Sequence, residues 1–176
     1  MDFEKLARKY RKKLVVDGSS PTAVDVGFGR DQITKLIPHR EPFLLCDRID
    51  TIDFEQQTIT GRRTINPGDP VFEGHFPGYA IYPGVLQVEM IGQLAVCYYV
   101  LAKDRSLKLE GKDTELNVRA LKINHALFQH ELRPNDEAII LGKVLETDEF
   151  TFQGIGQVVC GGKVCTVVIA EFFIVE

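Results

Sequence analysis

No surplus of positive charge runs through these 176 residues: 21 Lys and Arg stand against 25 Asp and Glu, a net charge of −4. A chain so balanced has no whole-molecule attraction to DNA, RNA or an anionic membrane, which sets nucleic-acid binding aside. Cysteine is scarce as well. Cys46, Cys97, Cys160 and Cys165 form no C-x-x-C and no paired Cys/His spacing, which argues against a zinc site. Cys160 and Cys165 flank Gly161-Gly162, which reads as a hairpin turn in which Cys160 faces Lys163 and Cys165 faces Val158. The two thiols are then diagonal neighbours about 7–8 Å apart, beyond disulfide reach. Four reduced thiols point to a cytoplasmic setting. Internal repeats and low-complexity tracts are missing, and no apolar signal region follows the basic residues near the start.

What is present reads as one globular domain, with 44% hydrophobic and 26% charged residues. Residues 2–14 place Phe3, Leu6, Ala7, Tyr10 and Leu14 at helical spacing among six Lys and Arg. A small helix docked on the domain fits this better than a membrane-surface helix. Residues 17–22 (Asp-Gly-Ser-Ser-Pro-Thr) read as a linker, so residues 1–23 form a basic helix with its linker and residues 24–176 the main domain. Asp31 caps a short expected helix over 32–37, stopped by Pro38.

One long apolar run starts after Pro83 and spans 84–102. Pro83 suits a helix start, and an all-round apolar helix has to be enclosed. A transmembrane span is the rival, made costly by Gln87, Glu89 and Gln93 in its first half. Strands are expected at 43–53, 57–66, 118–132, 137–147, 150–160 and 163–175. The last four are joined by links too short for parallel crossovers, so the sheet is antiparallel. Five or six such strands with one apolar helix pack as an α+β fold, the sheet wrapped around the helix.

Three positions carry candidate chemistry. A carboxyl group on an apolar helix is desolvated, so Glu89 is expected to have a raised pKa, or else to pair with a buried Arg. Gln93, one turn on, can orient it. His75 sits in Gly74-His-Phe-Pro-Gly78, where glycines allow close backbone approach to a ligand. Gly84 opens the long helix, whose first N–H groups lack intrahelical partners and can hold a developing oxyanion. His39, His125 and His130 have no comparable setting and read as structural.

Residues 38–48 (Pro-His-Arg-Glu-Pro-Phe-Leu-Leu-Cys-Asp-Arg) resemble the opening motif of FabZ-type β-hydroxyacyl-acyl-carrier-protein dehydratases. Residues 74–93, running Gly-His-Phe-Pro-Gly through Pro-Gly-Val-Leu to Glu89 and Gln93, resemble their active-site segment. Arg133-Pro-Asn-Asp136 and Gly162-Lys-Val164 also sit where the family has similar residues. The resemblance covers about Asp31 to the end and is diffuse after Ala102. It implies a hotdog fold, with His75 as catalytic histidine, Glu89 as catalytic carboxylate and the Gly84 N–H on the thioester carbonyl. Glu rather than Asp at position 89 implies dehydration without isomerisation.

The same resemblance implies no metal or nucleotide cofactor, the substrate riding on the phosphopantetheine of acyl carrier protein. It implies a homodimer whose sites take histidine and carboxylate from different subunits, commonly a trimer of such dimers. The expected reaction turns a (3R)-hydroxyacyl thioester of fatty-acid biosynthesis into a trans-2-enoyl thioester and water. Lys103, Lys108, Arg119, Lys122 and Arg133 are the basic candidates for carrier docking. Departures touch the rim: Gly68 to Glu73, Tyr79-Ala80 and Tyr82 replace more usual residues, and the first 30 have no counterpart. A hotdog thioesterase and a non-catalytic acyl-binding module are the alternatives; the first needs no histidine at position 75.

Overall fold

A computed structural model describes residues 1–16, 18–110 and 117–175. Within them seven antiparallel strands form one sheet. These are β1 (Val24–Gly29), β2 (Arg48–Asp53), β3 (Thr58–Thr64), β4 (Asn117–Phe128), β5 (Glu137–Thr147), β6 (Thr151–Cys160) and β7 (Lys163–Val175), in the order β1-β2-β3-β5-β6-β7-β4. Helix α1 (Phe3–Lys9) precedes them, α2 (Arg30–Ile33) follows β1, and the long α3 (Gly84–Ala102) lies between β3 and β4. The α+β hotdog arrangement holds, with β1 as a strand that the sequence pattern does not reveal. Val24, Val26 and Phe28 do alternate, but over only six residues broken by Gly27 and Gly29; pairing with β2 makes it a strand.

Helix α3 packs against β3, β4, β5, β6 and β7 and buries Met90, Ile91, Leu94, Cys97 and Leu101. It is long and apolar enough to cross a membrane, but more than half of it is buried within the fold. Glycine sets how closely it sits. Gly142 and Gly156 face each other across β5 and β6, and a Cβ on Gly156 would fall 2.2 Å from Ile91 Cγ2. Any side chain there would lift the helix off the sheet.

The opposite face of the sheet is covered too. Ala7 and Val15 are buried against Leu141, Ile155, Val159, Val164, Val167 and Ile169. This explains the stretch 164–170 in β7, apolar except for Thr166 and buried on both faces. Gln157, fully buried on β6, fastens the cover: its Oε1 accepts from Val15 N at 2.9 Å, and its Nε2 donates to Lys13 O at 2.9 Å and Tyr10 O at 2.6 Å.

Several boundaries differ from expectation. Helix α1 closes at Lys9 rather than running to residue 14, because the chain beyond Tyr10 turns to meet Gln157. Helix α2 spans Arg30–Ile33, with Gly29 rather than Asp31 at its N-cap and the Gln32 side chain accepting from Gly29 N at 3.1 Å. The strand expected from residue 43 begins only at Arg48. The Gly161-Gly162 hairpin is present, both glycines at positive φ, and Cys160 does face Lys163. A bulge then pairs Val159 with Val164 and Val158 with Thr166, so Cys165 does not face Val158. Burial pushes the thiols of Cys46 up to about 12 and Cys165 to about 11, so they stay protonated and unreactive.

Candidate active site

The His75 segment is a tight loop held by its own backbone. Asp69 caps the 3₁₀ turn Pro70–Glu73 by accepting from Val71 N at 3.2 Å, and His75 N donates to Val71 O at 3.0 Å. Phe76 and Tyr79 exchange backbone bonds across a turn that needs Gly78 at φ +76°. Ile81 N returns to His75 O at 3.0 Å, and Tyr82 N anchors the loop to Leu132 O at 2.8 Å. The His75 ring stacks on Phe76, and its Nδ1 lies 2.8 Å from Ile81 O. A carbonyl can only accept, so Nδ1 carries a proton, and in the neutral ring Nε2 keeps the lone pair. That is the tautomer a proton acceptor needs.

His75 opens onto a cleft of about 410 Å³ that it shares with Tyr82, Gly84, Val85, Gln87 and Phe128. The structure thus brings His75 and Gly84 together. The glycine at 84 answers to packing: a Cβ there would come within 2.8 Å of the Phe128 ring. At a helix start the first N–H groups, here those of Gly84 and Val85, have no intrahelical acceptor and lie beside the cleft.

Glu89 is elsewhere. Five residues along α3 from Gly84, it is turned about 140° around the axis and displaced about 7.5 Å. Its Oε1 accepts from Gln93 Nε2 at 2.9 Å and lies 3.4 Å from His39 Nε2. The expected raised pKa is corrected here. The side chain is only half-buried, and the carboxyl is held below its ordinary range, first by the His39 hydrogen bond, which with Gln93 outweighs burial. It is ionised at neutral pH. Because Oε1 takes both of these donors, Oε2 is the oxygen left to face a ligand.

His39, read from sequence as structural, is therefore a site residue. Its ring stacks near Phe43, with centroids 6.3 Å apart. The signal was its place in the Pro38-His39-Arg40 motif; the partner, 50 residues away in sequence, became visible only in the fold. Arg63 was missed as well. Buried on β3, its Nη1 donates to Leu44 O at 2.8 Å, its Nη2 reaches Asp69 Oδ2 at 3.4 Å, and its guanidinium lies 5.8 Å from the Tyr82 ring centroid. One cation thereby ties the segment around Glu89 to the turn before His75.

Gln93 does more than orient Glu89. Its Oε1 accepts from Leu45 N at 2.8 Å and its Nε2 donates to Phe43 O at 2.8 Å, holding residues 43–45 out of the sheet. Gln93→Ala leaves a buried N–H and a part-buried carbonyl without partners. It is expected to destabilise the fold by about 1–3 kcal/mol, read as a lower thermal midpoint.

With this geometry in place, comparison with known proteins decides the family. A model of the FabA-like domain matches residues 37–168. The chain belongs to the FabA-like family of hotdog dehydratases. Its relatives include FabZ proteins, named 3-hydroxyacyl-acyl-carrier-protein dehydratases. That of Thermotoga neapolitana is 41% identical over 109 residues, 62% of this chain and 70% of its own length. That of Campylobacter curvus is 36% identical over 107 residues, 60% of this chain and 69% of its own length. That of Xanthomonas oryzae pv. oryzae is 33% identical over 123 residues, 69% and 75% of the two chains. Among solved structures, a chain of the dehydratase heterocomplex ApeI:P from Xenorhabdus doucetiae has a TM-score of 0.65 at 17% identity, covering 82% of this chain and 91% of its own. A mutant thioesterase from Pseudomonas aeruginosa has a TM-score of 0.53 at 14% identity, covering 73% and 80%. Likeness at that identity shows the hotdog fold alone. The FabA-like match begins at residue 37, so α1, β1 and α2 lie outside it.

Proposed function

We propose that this FabA-like protein dehydrates (3R)-3-hydroxyacyl thioesters carried on acyl carrier protein, giving the trans-2-enoyl thioester and water. The observation that carries this reading is the His75 tautomer, Nδ1 tied to Ile81 O and Nε2 left as a base beside the helix-start N–H groups. His75 Nε2 takes the C2 proton while the N–H groups of Gly84 and Val85 hold the enolate-like charge on the thioester oxygen. The C3–O bond then breaks. The imidazolium returns the same proton to the departing hydroxyl, which leaves as water, and C2–C3 becomes the double bond. Ionised Glu89 accepts a hydrogen bond from the 3-hydroxyl through Oε2 and holds it in line. No proton is gained or lost overall, and the scheme uses no metal or nucleotide; the phosphopantetheine arm belongs to the carrier.

Glu89 does not line the His75 cleft, which supports a site that takes the two residues from two subunits of a homodimer. Support comes from β4, which has no strand on its outer edge among the described residues and leaves Leu121, Ile123 and Phe128 each more than half exposed. An apolar, unpaired edge of this kind is covered by a second copy. Sedimentation analysis is expected to show a dimer or its trimer, and Ile123→Glu to shift it toward monomer. The buried setting of α3 and the reduced thiols accord with a cytoplasmic protein.

Turnover of 3-hydroxyacyl thioesters on carrier protein and on CoA tests the reaction. Enoyl product by ultraviolet absorbance, confirmed by mass, is expected; free acid as the product would make the protein a thioesterase.

A further inference from the structure

The charge balance of the chain conceals a strong asymmetry. Residues 1–13 carry six Lys and Arg against two Asp and Glu, a charge of +4. The remaining residues hold 15 against 23, a charge of −8. This basic segment lies outside the FabA-like match, yet it is built into the fold by the buried Ala7 and Val15 and by the Gln157 clamp. Packing turns Phe3, Leu6, Ala7 and Tyr10 inward, and Lys5, Arg8, Lys9, Arg11, Lys12 and Lys13 are left exposed.

The position of the segment gives these charges a use. Arg11 Nε donates to Gln129 Oε1 at 2.9 Å, and Gln129 Nε2 donates back to Arg11 O at 3.1 Å. Gln129 lines the His75 cleft. A neighbouring hollow of about 360 Å³ shares Gln129, His130 and Glu131 with that cleft and adds Arg133 and Lys163. Cations thus run from α1 to the cleft mouth. The acidic groups along the way are mostly engaged: Glu4 with Arg8, and Glu131 with Arg133 and Tyr79, while Asp2 caps α1. Of the docking residues expected from sequence, only Arg133 lines this rim; Lys103, Lys108, Arg119 and Lys122 do not.

We propose that the N-terminal segment is a landing surface for the acidic protein domain that delivers the acyl thioester. Lys5, Lys9 and Lys12 hold its carboxylates while the tethered thioester enters the His75 cleft. This rests on the dehydratase reading and names the docking surface of that same site. An anionic membrane is the weaker occupant, because a surface-bound helix inserts its apolar face and α1 has used that face on the sheet.

The test compares the parent with Lys5→Glu/Lys9→Glu/Lys12→Glu, and with the three Lys→Gln changes, on 3-hydroxybutyryl thioesters of acyl carrier protein and of N-acetylcysteamine. Arg11 is left intact to keep the Gln129 contact. At low ionic strength the charge-reversed protein is expected to raise KM for the carrier-bound substrate about tenfold with kcat unchanged, and the neutralised one less. The effect shrinks in high salt, and kcat/KM for the small thioester stays at the parent value. An unchanged carrier KM overturns the docking surface and leaves the dehydratase reading standing. If the parent turns over neither substrate, that reading fails, and docking is then decided by titrating the parent and the variant with substrate-free carrier. Charge-sensitive binding supports it; equal or no binding overturns it. Loss of binding to phosphatidylglycerol–phosphatidylcholine vesicles with an unmoved carrier KM assigns the cations to a membrane and also overturns it.

Discussion

His75→Ala is expected to lower kcat for dehydration by about 10²–10⁴-fold, the range that a positioned acid–base side chain contributes. The fold should be untouched, because the ring is bonded at the cleft edge to Ile81 O, while the loop is held by backbone bonds from Ile81, Tyr79 and Tyr82. An unchanged thermal midpoint with lost turnover separates chemistry from folding. Mixing makes the same variant test the shared site. When His75→Ala and Glu89→Gln subunits are unfolded and refolded together, half of the dimers are mixed, and each mixed dimer keeps one site with both native residues. About a quarter of parent activity should return. If both residues came from one subunit, every mixed dimer would have two damaged sites, and nothing would return.

Glu89→Gln is expected to remove most of the activity and to leave the fold standing, since a Gln side chain can still meet Gln93. The pH profile says how the carboxyl works. With Glu89 ionised and His75 carrying the only moving proton, activity is lost in acid as the Glu89 carboxylate protonates, and the rate stays level on the alkaline side. A carboxyl that had to donate its own proton would make the rate fall about tenfold per pH unit on the alkaline side. The plateau is the expected result; the fall would restore the neutral-acid role. Because His39 is the largest cause of the lowered carboxyl pKa, His39→Ala should let burial raise it. The acid limb then moves to higher pH. Stability follows the same sign. A depressed carboxyl stabilises the fold above its unfolded pKa and loses that contribution as pH falls through the lower folded value. Parent and His39→Ala should therefore converge in thermal midpoint in strong acid.

Much of this protein was legible in the order of its residues. The apolar run after Pro83 with no exposed face required enclosure, and short links required an antiparallel wrapper, so helix and sheet followed from local periodicity and chain geometry. The His75 and Glu89 positions, the Gly84 helix start and the family motif are local patterns too. The state of Glu89 was not local. Burial argued for a neutral acid, and only the fold brought His39 from 50 residues away to reverse the sign. Arg63 and Gln157 escaped for the same reason: a buried polar side chain is understood through its partners, and theirs lie at Leu44, Asp69, Tyr10 and Val15. The sequence by itself determined the long helix, most of the antiparallel sheet around it and the positions of His75, Gly84 and Glu89. Tertiary structure alone decided the charge of Glu89, its place outside the His75 cleft and the cover that α1 lays over the sheet, because each depends on contacts between residues far apart along the chain.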